Sequence, residues 1–319
     1  MKIYCGLWGL LAVTCGVSPS LKAEPAKNPV APIPVTGQPF VADFYHTEGS
    51  PKKMGILFLG GSEGGISVLG TPRFLATNGY PVLCLAYFKA EGLPDSLEMV
   101  PLEYCDKAIA WLEANEAIQP GGIVVVGGSK GAELALLLAT RHPDIAGVIA
   151  IAPSSVVWQG LPKKFWPAPP ARSSWSLLQN PVPFVPYDRS RWFNPFDKLA
   201  VYKLYQRSLT QKEAVEKATI EVEKIHGPVL LLSGNEDALW PSAEMGDAIC
   251  DRLKEKGFSY KYEHVKYKGA GHTLSEYSML GGTPEGNKQA RIESRNKMLE
   301  FLQAIEHSSA PAEVNQPGS

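Results

Sequence analysis

The sequence predicts an α/β fold, a mostly parallel and doubly wound sheet with helices on both faces. Three observations carry this. Five short apolar runs are bounded by Gly or Pro, and helical patterns with recognisable ends separate them. A chain of 319 residues with 45% hydrophobic content is also long enough for one large core. Runs that are apolar at nearly every position, rather than at every second one, suit strands covered on both faces.

Residues 1–23 read as an export signal. Lys2 precedes an apolar run over 3–17, and a polar stretch ends at Ala23, where cleavage is expected before the composition changes at Glu24 and Pro25. The run falls short of the roughly 20 apolar residues that span a bilayer, so an exported protein, periplasmic or extracellular, is expected without stable membrane insertion. The Pro- and Ala-rich stretch 24–38 reads as a linker, 39–306 as the folded domain and 307–319 as a disordered tail.

Within the domain the strand-like runs are MGILFLG at 54–60, YPVLCLAYF at 80–88, GIVVVG at 122–127, AGVIAIA at 146–152 and PVLLLSG at 228–234. Helices are expected over 101–115 after Pro101, over 242–256 with Ser242 as cap, and over 284–306 after Thr283. One stretch breaks the alternation. Residues 155–208 hold Trp158, Phe165, Trp166, Trp175, Phe184, Tyr187, Trp192, Phe193 and Phe196 among many prolines. A Thr210-x-x-Glu213 capping box then opens a polar helix expected to reach about Lys224. Long insertions in compact domains are usually functional, so 155–226 is expected to form a lid over the site.

Composition excludes several function classes. Lys plus Arg number 31 against 32 Asp plus Glu, so no strong field attracts nucleic acid, and a small neutral or amphiphilic substrate fits better. Two of five cysteines, Cys5 and Cys15, lie in the signal. Cys84, Cys105 and Cys250 remain, an odd number that cannot complete a disulfide framework. No CxxC pair or HExxH motif suggests a metal, and no cofactor is expected.

The chemistry rests on G-x-S-x-G, which occurs at 60–64 and at 127–131. A nucleophile elbow needs a strand that turns sharply into a helix, and only Ser129, between GIVVVG and KGAELALLLATRH, has that context. The loop GGSEGG around Ser62 suits amides that approach a developing oxyanion. The oxyanion hole is therefore assigned to the backbone N–H of Lys130 with one from Gly61 or Ser62. The acid should follow the 228–234 run, at Glu236 or Asp237. Of six histidines, His272 lies in the Gly-rich loop after the last strand-like run, whereas His264 reads as part of an alternating exposed strand. The order Ser, Asp, His is that of an α/β-hydrolase fold.

Four segments resemble the catalytic domain of the acyl-CoA thioester hydrolases and bile acid-CoA:amino acid N-acyltransferases. They are GGSEGG with the following ATNGYPVLCLAYFKAEGLPDSLEMVPLEYCDKAIAWL, the elbow GGSKGAELALLLA, the acid loop GNEDALWPS and the histidine loop GAGHTL. The resemblance spans about residues 50–306. It implies a serine hydrolase acting on an acyl thioester or ester, with Ser129, Asp237 and His272 as its triad, and it selects Asp237 over Glu236. Members of that family with two domains place a β-sandwich before the catalytic domain, for which residues 24–50 are too few, and its amino-acid transferases use cysteine where this chain has Ser129. A carboxylesterase, a dienelactone hydrolase-like enzyme and a non-catalytic binding protein are the alternatives.

Overall fold

The computed structural model describes residues 30–67, 70–163, 170–190, 197–277 and 280–309. Eight strands form the main sheet: β1 (Pro32–Pro34), β2 (Val41–Tyr45), β3 (Lys53–Leu59), β4 (Val82–Ala86), β5 (Ile118–Gly128), β6 (Ile145–Ile151), β7 (Val229–Gly234) and β8 (Tyr262–Tyr267). Their order across the sheet is β1-β2-β4-β3-β5-β6-β7-β8. The first two strands pair antiparallel, and β4 through β8 run parallel with β3 among them. The strand order reverses beside β3 and β5, and in open parallel sheets such switch points put reactive loops at the strands' carboxyl ends.

The helices are α1 (Gly70–Thr77), α2 (Leu102–Glu113), α3 (Lys130–Ala139), α4 (Ala200–Ser208), α5 (Lys212–Ala218), α6 (Ser242–Glu255) and α7 (Pro284–Ser309). One core cluster joins Leu57, Leu83 and Val125 to residues of α2, α3 and α6; the other joins Ile56, Cys84 and Val124 to α1 and α7. Alternate residues of one strand thus serve opposite layers, which is why the central strands read as unbroken apolar runs.

Several sequence expectations need correction. The linker expected over 24–38 includes Pro32–Pro34, which already pairs with β2 as an edge strand, where proline's missing N–H is tolerated. The helix expected from the Thr210 box to Lys224 ends at Ala218, and a separate 3-10 turn follows at Val222–Lys224. Thr210 Oγ1 donates instead to the carbonyl of Arg207, so no capping box forms. The last helix continues through 307–309, residues assigned to the tail. Residues 1–29 and 310–319, which hold the expected signal and most of the expected tail, lie outside the described residues.

The insertion is not a loose flap over its described length. Trp158 and Trp175 are fully buried, and Val156, Trp158, Val185 and Tyr205 form a third cluster with Trp240 and Met245. Phe165, Trp166, Trp192, Phe193 and Phe196 lie outside the described residues.

Candidate active site

Ser129 sits where β5 turns into α3, with φ 56° and ψ −119°. A non-glycine residue held there costs about 1–3 kcal/mol, sustained only when the surroundings enforce it. The enforcement is visible in its glycines. A Cβ on Gly127 would lie 2.0 Å from the carbonyl oxygen of Gly131, and one on Gly131 would lie 2.1 Å from that of Leu59. The other G-x-S-x-G, at 60–64, has no such turn, since the next helix begins only at Gly70.

The 60–64 loop lies beside the elbow instead. A Cβ on Gly61 would meet Ser129 Cβ at 3.3 Å. Tyr87, from the LAYF segment, anchors this loop by donating its hydroxyl to the Gly60 carbonyl at 2.5 Å and toward that of Gly61 at 3.2 Å. The Gly61 N–H is engaged: it donates to Glu63 Oε1 at 3.0 Å, and Ser67 Oγ donates to the same oxygen at 3.3 Å. The Ser62 N–H has no partner among the described residues. Lys130 opens α3, where a backbone N–H lacks an intrahelical acceptor.

Between Glu236 and Asp237, the chain turns Asp237 inward and leaves Glu236 exposed. Asp237 Oδ2 lies 2.8 Å from His272 Nδ1 and accepts a hydrogen bond from Ser242 Oγ at 2.6 Å. Its Oδ1 accepts from the N–H groups of Leu239 and Trp240 at 2.8 and 3.2 Å. Ser242 thus serves the acid, and its expected role as cap of α6 is not seen. The acid and histidine loops are laced together. Glu236 N–H donates to Ala270 O, Ala238 N–H and His272 N–H both donate to Leu280 O, and Asn287 Oδ1 accepts from Gly271 N–H. His272 is 4% exposed, its ring lies edge-on to Trp240 at 5.6 Å, and its Nε2 is buried with no hydrogen-bond partner among the described residues. The Ser129 hydroxyl makes no hydrogen bond to that nitrogen in this structure, so the geometry joins His272 to Asp237 directly, and Ser129 shares with them only its place after the carboxyl end of a parallel strand.

Sequence reasoning missed a buried ion pair behind the elbow. Lys130 Nζ lies 2.6 Å from Glu133 Oε2, with both side chains almost fully buried. Glu133 Oε1 also accepts from Trp175 Nε1 at 2.7 Å and from the Trp158 N–H at 3.1 Å. Burial pushes the Glu133 carboxyl up and the Lys130 ammonium down, each opposed by the partner's charge. A signal was present, since Lys and Glu three apart on an otherwise apolar helix must both be buried and therefore paired.

His264 also departs from its expected exposure. Its side chain is 5% exposed, with Nε2 at 2.7 Å from Ser233 Oγ and Nδ1 at 3.0 Å from Asp247 Oδ1. Ser233 is fully buried in β7, so this second Ser–His–Asp chain ties β7, β8 and α6 together without access for a substrate.

The family model described as BAAT / Acyl-CoA thioester hydrolase C terminal matches residues 100–278, which include the elbow, the acid loop and His272. The chain belongs to this family. Among BAAT and acyl-CoA thioester hydrolase relatives, it is 31% identical over 265 residues to acyl-coenzyme A thioesterase 2, mitochondrial, of Mus musculus, covering 78% of this chain and 54% of the relative. It is 28% identical over 265 residues to acyl-coenzyme A amino acid N-acyltransferase 2 of Rattus norvegicus, covering 78% and 59%. The chain therefore spans between half and two thirds of the length of these relatives. A Pyrobaculum calidifontis esterase superposes with a TM-score of 0.54 at 15% identity, covering 89% of this chain and 87% of the esterase. That likeness shows the α/β-hydrolase fold.

Proposed function

We propose that this protein is a serine hydrolase that cleaves an acyl thioester or ester through an acyl-enzyme intermediate. The observation that carries the reading is the strained Ser129 elbow together with a buried imidazole, each following the carboxyl end of a strand in the same parallel sheet; Asp237 holds the imidazole's Nδ1, and its Nε2 has no hydrogen-bond partner among the described residues. In this reading His272 Nε2 takes the Ser129 proton as Oγ attacks the acyl carbon, and Asp237 holds the tautomer and stabilises the imidazolium. The Ser129–His272 hydrogen bond forms on substrate binding, as such contacts commonly tighten in the reactive complex.

The Lys130 and Ser62 amides receive the oxyanion; Ser62 is favoured over Gly61 because the Gly61 N–H is already donated to Glu63. Collapse expels the thiol or alcohol, protonated by His272, and water then attacks the acyl-serine by the same route. Serine in place of cysteine favours water over an amine as acceptor. The relatives' names support an acyl-CoA substrate, and the signal-like 1–23 segment supports export, where an ordinary ester becomes the alternative.

A fluorophosphonate probe should label the intact protein at Ser129, and Ser129→Ala should abolish labelling. Labelling that survives in Ser129→Ala defeats the assignment. Turnover of p-nitrophenyl esters and of acyl-CoAs of graded chain length should fall by about 10⁴-fold in His272→Ala. Edman sequencing of the mature amino terminus tests export.

A further inference from the structure

We infer that Glu133 is a positioning residue that holds the oxyanion amides and the wall behind His272 in one frame. The inference rests on the acyl-transfer reading above. From its buried carboxylate three paths lead to the site. Oε2 holds Lys130, the residue whose backbone N–H follows the nucleophile. Oε1 holds the Trp175 indole, whose ring lies edge-on to Tyr87 at 5.6 Å, and Tyr87 in turn anchors the carbonyls of Gly60 and Gly61.

The same oxygen holds the Trp158 N–H. The Trp158 ring packs edge-on to Tyr205 at 4.7 Å, Tyr205 meets Trp240 at 5.5 Å, and Trp240 meets His272. One carboxylate thus reaches the elbow, the oxyanion loop and the imidazole. A carboxylate has the acceptor capacity to hold all three donors at once. A leucine of similar size would pack in the same space and hold none of them.

A purely structural role predicts loss of stability with an unchanged rate per folded site, whereas positioning predicts a loss of rate. The readout is the rate of Ser129 phosphonylation by a fluorophosphonate, resolved into kinact and KI and counted per titratable serine. Glu133→Leu should lower kinact by about 100-fold with KI within about threefold, the scale of a misplacement near 1 Å. Glu133→Gln, whose amide oxygen still accepts from Trp175 and Trp158, should recover at least about tenfold of that loss. Trp175→Phe keeps the ring on Tyr87 but not the indole N–H, and should lower kinact by at least about threefold.

A Leu or Phe variant that labels at the native kinact, whatever its melting temperature, overturns the inference. If the Leu variant does not fold, the Gln and Phe variants decide, and a native kinact in the Phe variant is again the overturning result. Labelling that persists in Ser129→Ala, run alongside, defeats the acyl-transfer reading itself, so the two failures are distinguishable.

Discussion

At the scale of single residues, the site depends on groups whose importance comes from one contact. Ser242 gives its hydroxyl to Asp237 Oδ2, the same oxygen that faces His272 Nδ1. A hydrogen bond to a charged carboxylate is worth about 1.5–3 kcal/mol, and here it also orients the acceptor. Ser242→Ala should therefore lower kcat on a p-nitrophenyl ester by about tenfold, while KM changes little. An unchanged kcat would show that the Leu239 and Trp240 amides orient Asp237 unaided. Ser242 was in view in the acid loop GNEDALWPS, yet its position before a helical run suggested a cap. The two roles differ only in where the hydroxyl points, and that depends on a loop closed by His272, 30 residues further on.

At the scale of elements, the histidine loop is stapled to α7. Arg291 Nε and Nη2 donate to the two oxygens of Glu276 at 2.8 and 2.7 Å, four residues beyond His272. These hydrogen bonds hold the Glu276 carboxyl at about 2, well below its ordinary 4.5. A carboxylate depressed in the folded state contributes stability that is fully present above its unfolded value. That contribution fades as pH falls from about 4.5 toward about 2. The urea midpoint should drop across this window, and Glu276→Gln should start lower at neutral pH and show a shallower acid loss. Identical acid slopes in the two proteins would refute the staple.

The elements themselves were largely legible. β3 through β7 lie on the five apolar runs, and α2, α6 and α7 begin within a residue or two of the expected starts, because buried strands and capped helices write their pattern locally. The Thr210 box failed for a physical reason. Its hydroxyl bonds back to the preceding turn at Arg207, and Thr219 leaves the helix in extended backbone so that Ile220 N–H can reach Ser155 O. Contacts across about 65 residues outranked a local signal.

At the scale of the whole molecule, the sheet's burial decides the chemistry of the thiols. Cys84 in β4 and Cys105 in α2 are fully buried and form no disulfide among the described residues. Burial pushes the Cys84 thiol up to about 12 and raises Cys105 as well, so neither supplies thiolate to a reagent while the sheet is closed. Peptide-resolved alkylation with iodoacetamide in mildly alkaline buffer should leave both unmodified in the native protein and modify both in guanidinium. Rapid native labelling of Cys84 would mean that β4 opens locally, well short of global unfolding.

By itself the sequence determined the alternation of strand and helix, the choice of Ser129 over Ser62 as the elbow serine, and the picking out of His272 from six histidines. Each follows from patterns between near neighbours: apolar period, turn glycines and the order of strands along the chain. Asp237 was singled out by the family resemblance, and the tertiary structure shows it facing the imidazole with Glu236 exposed; only the tertiary structure decided that the Gly61 amide is taken by Glu63 and that Glu133 lies buried between the elbow and the insertion. Those outcomes depend on which atoms meet after loops far apart in the chain have closed. Such meetings are fixed by packing and by the need to pair every buried polar group, and a run of letters does not carry them.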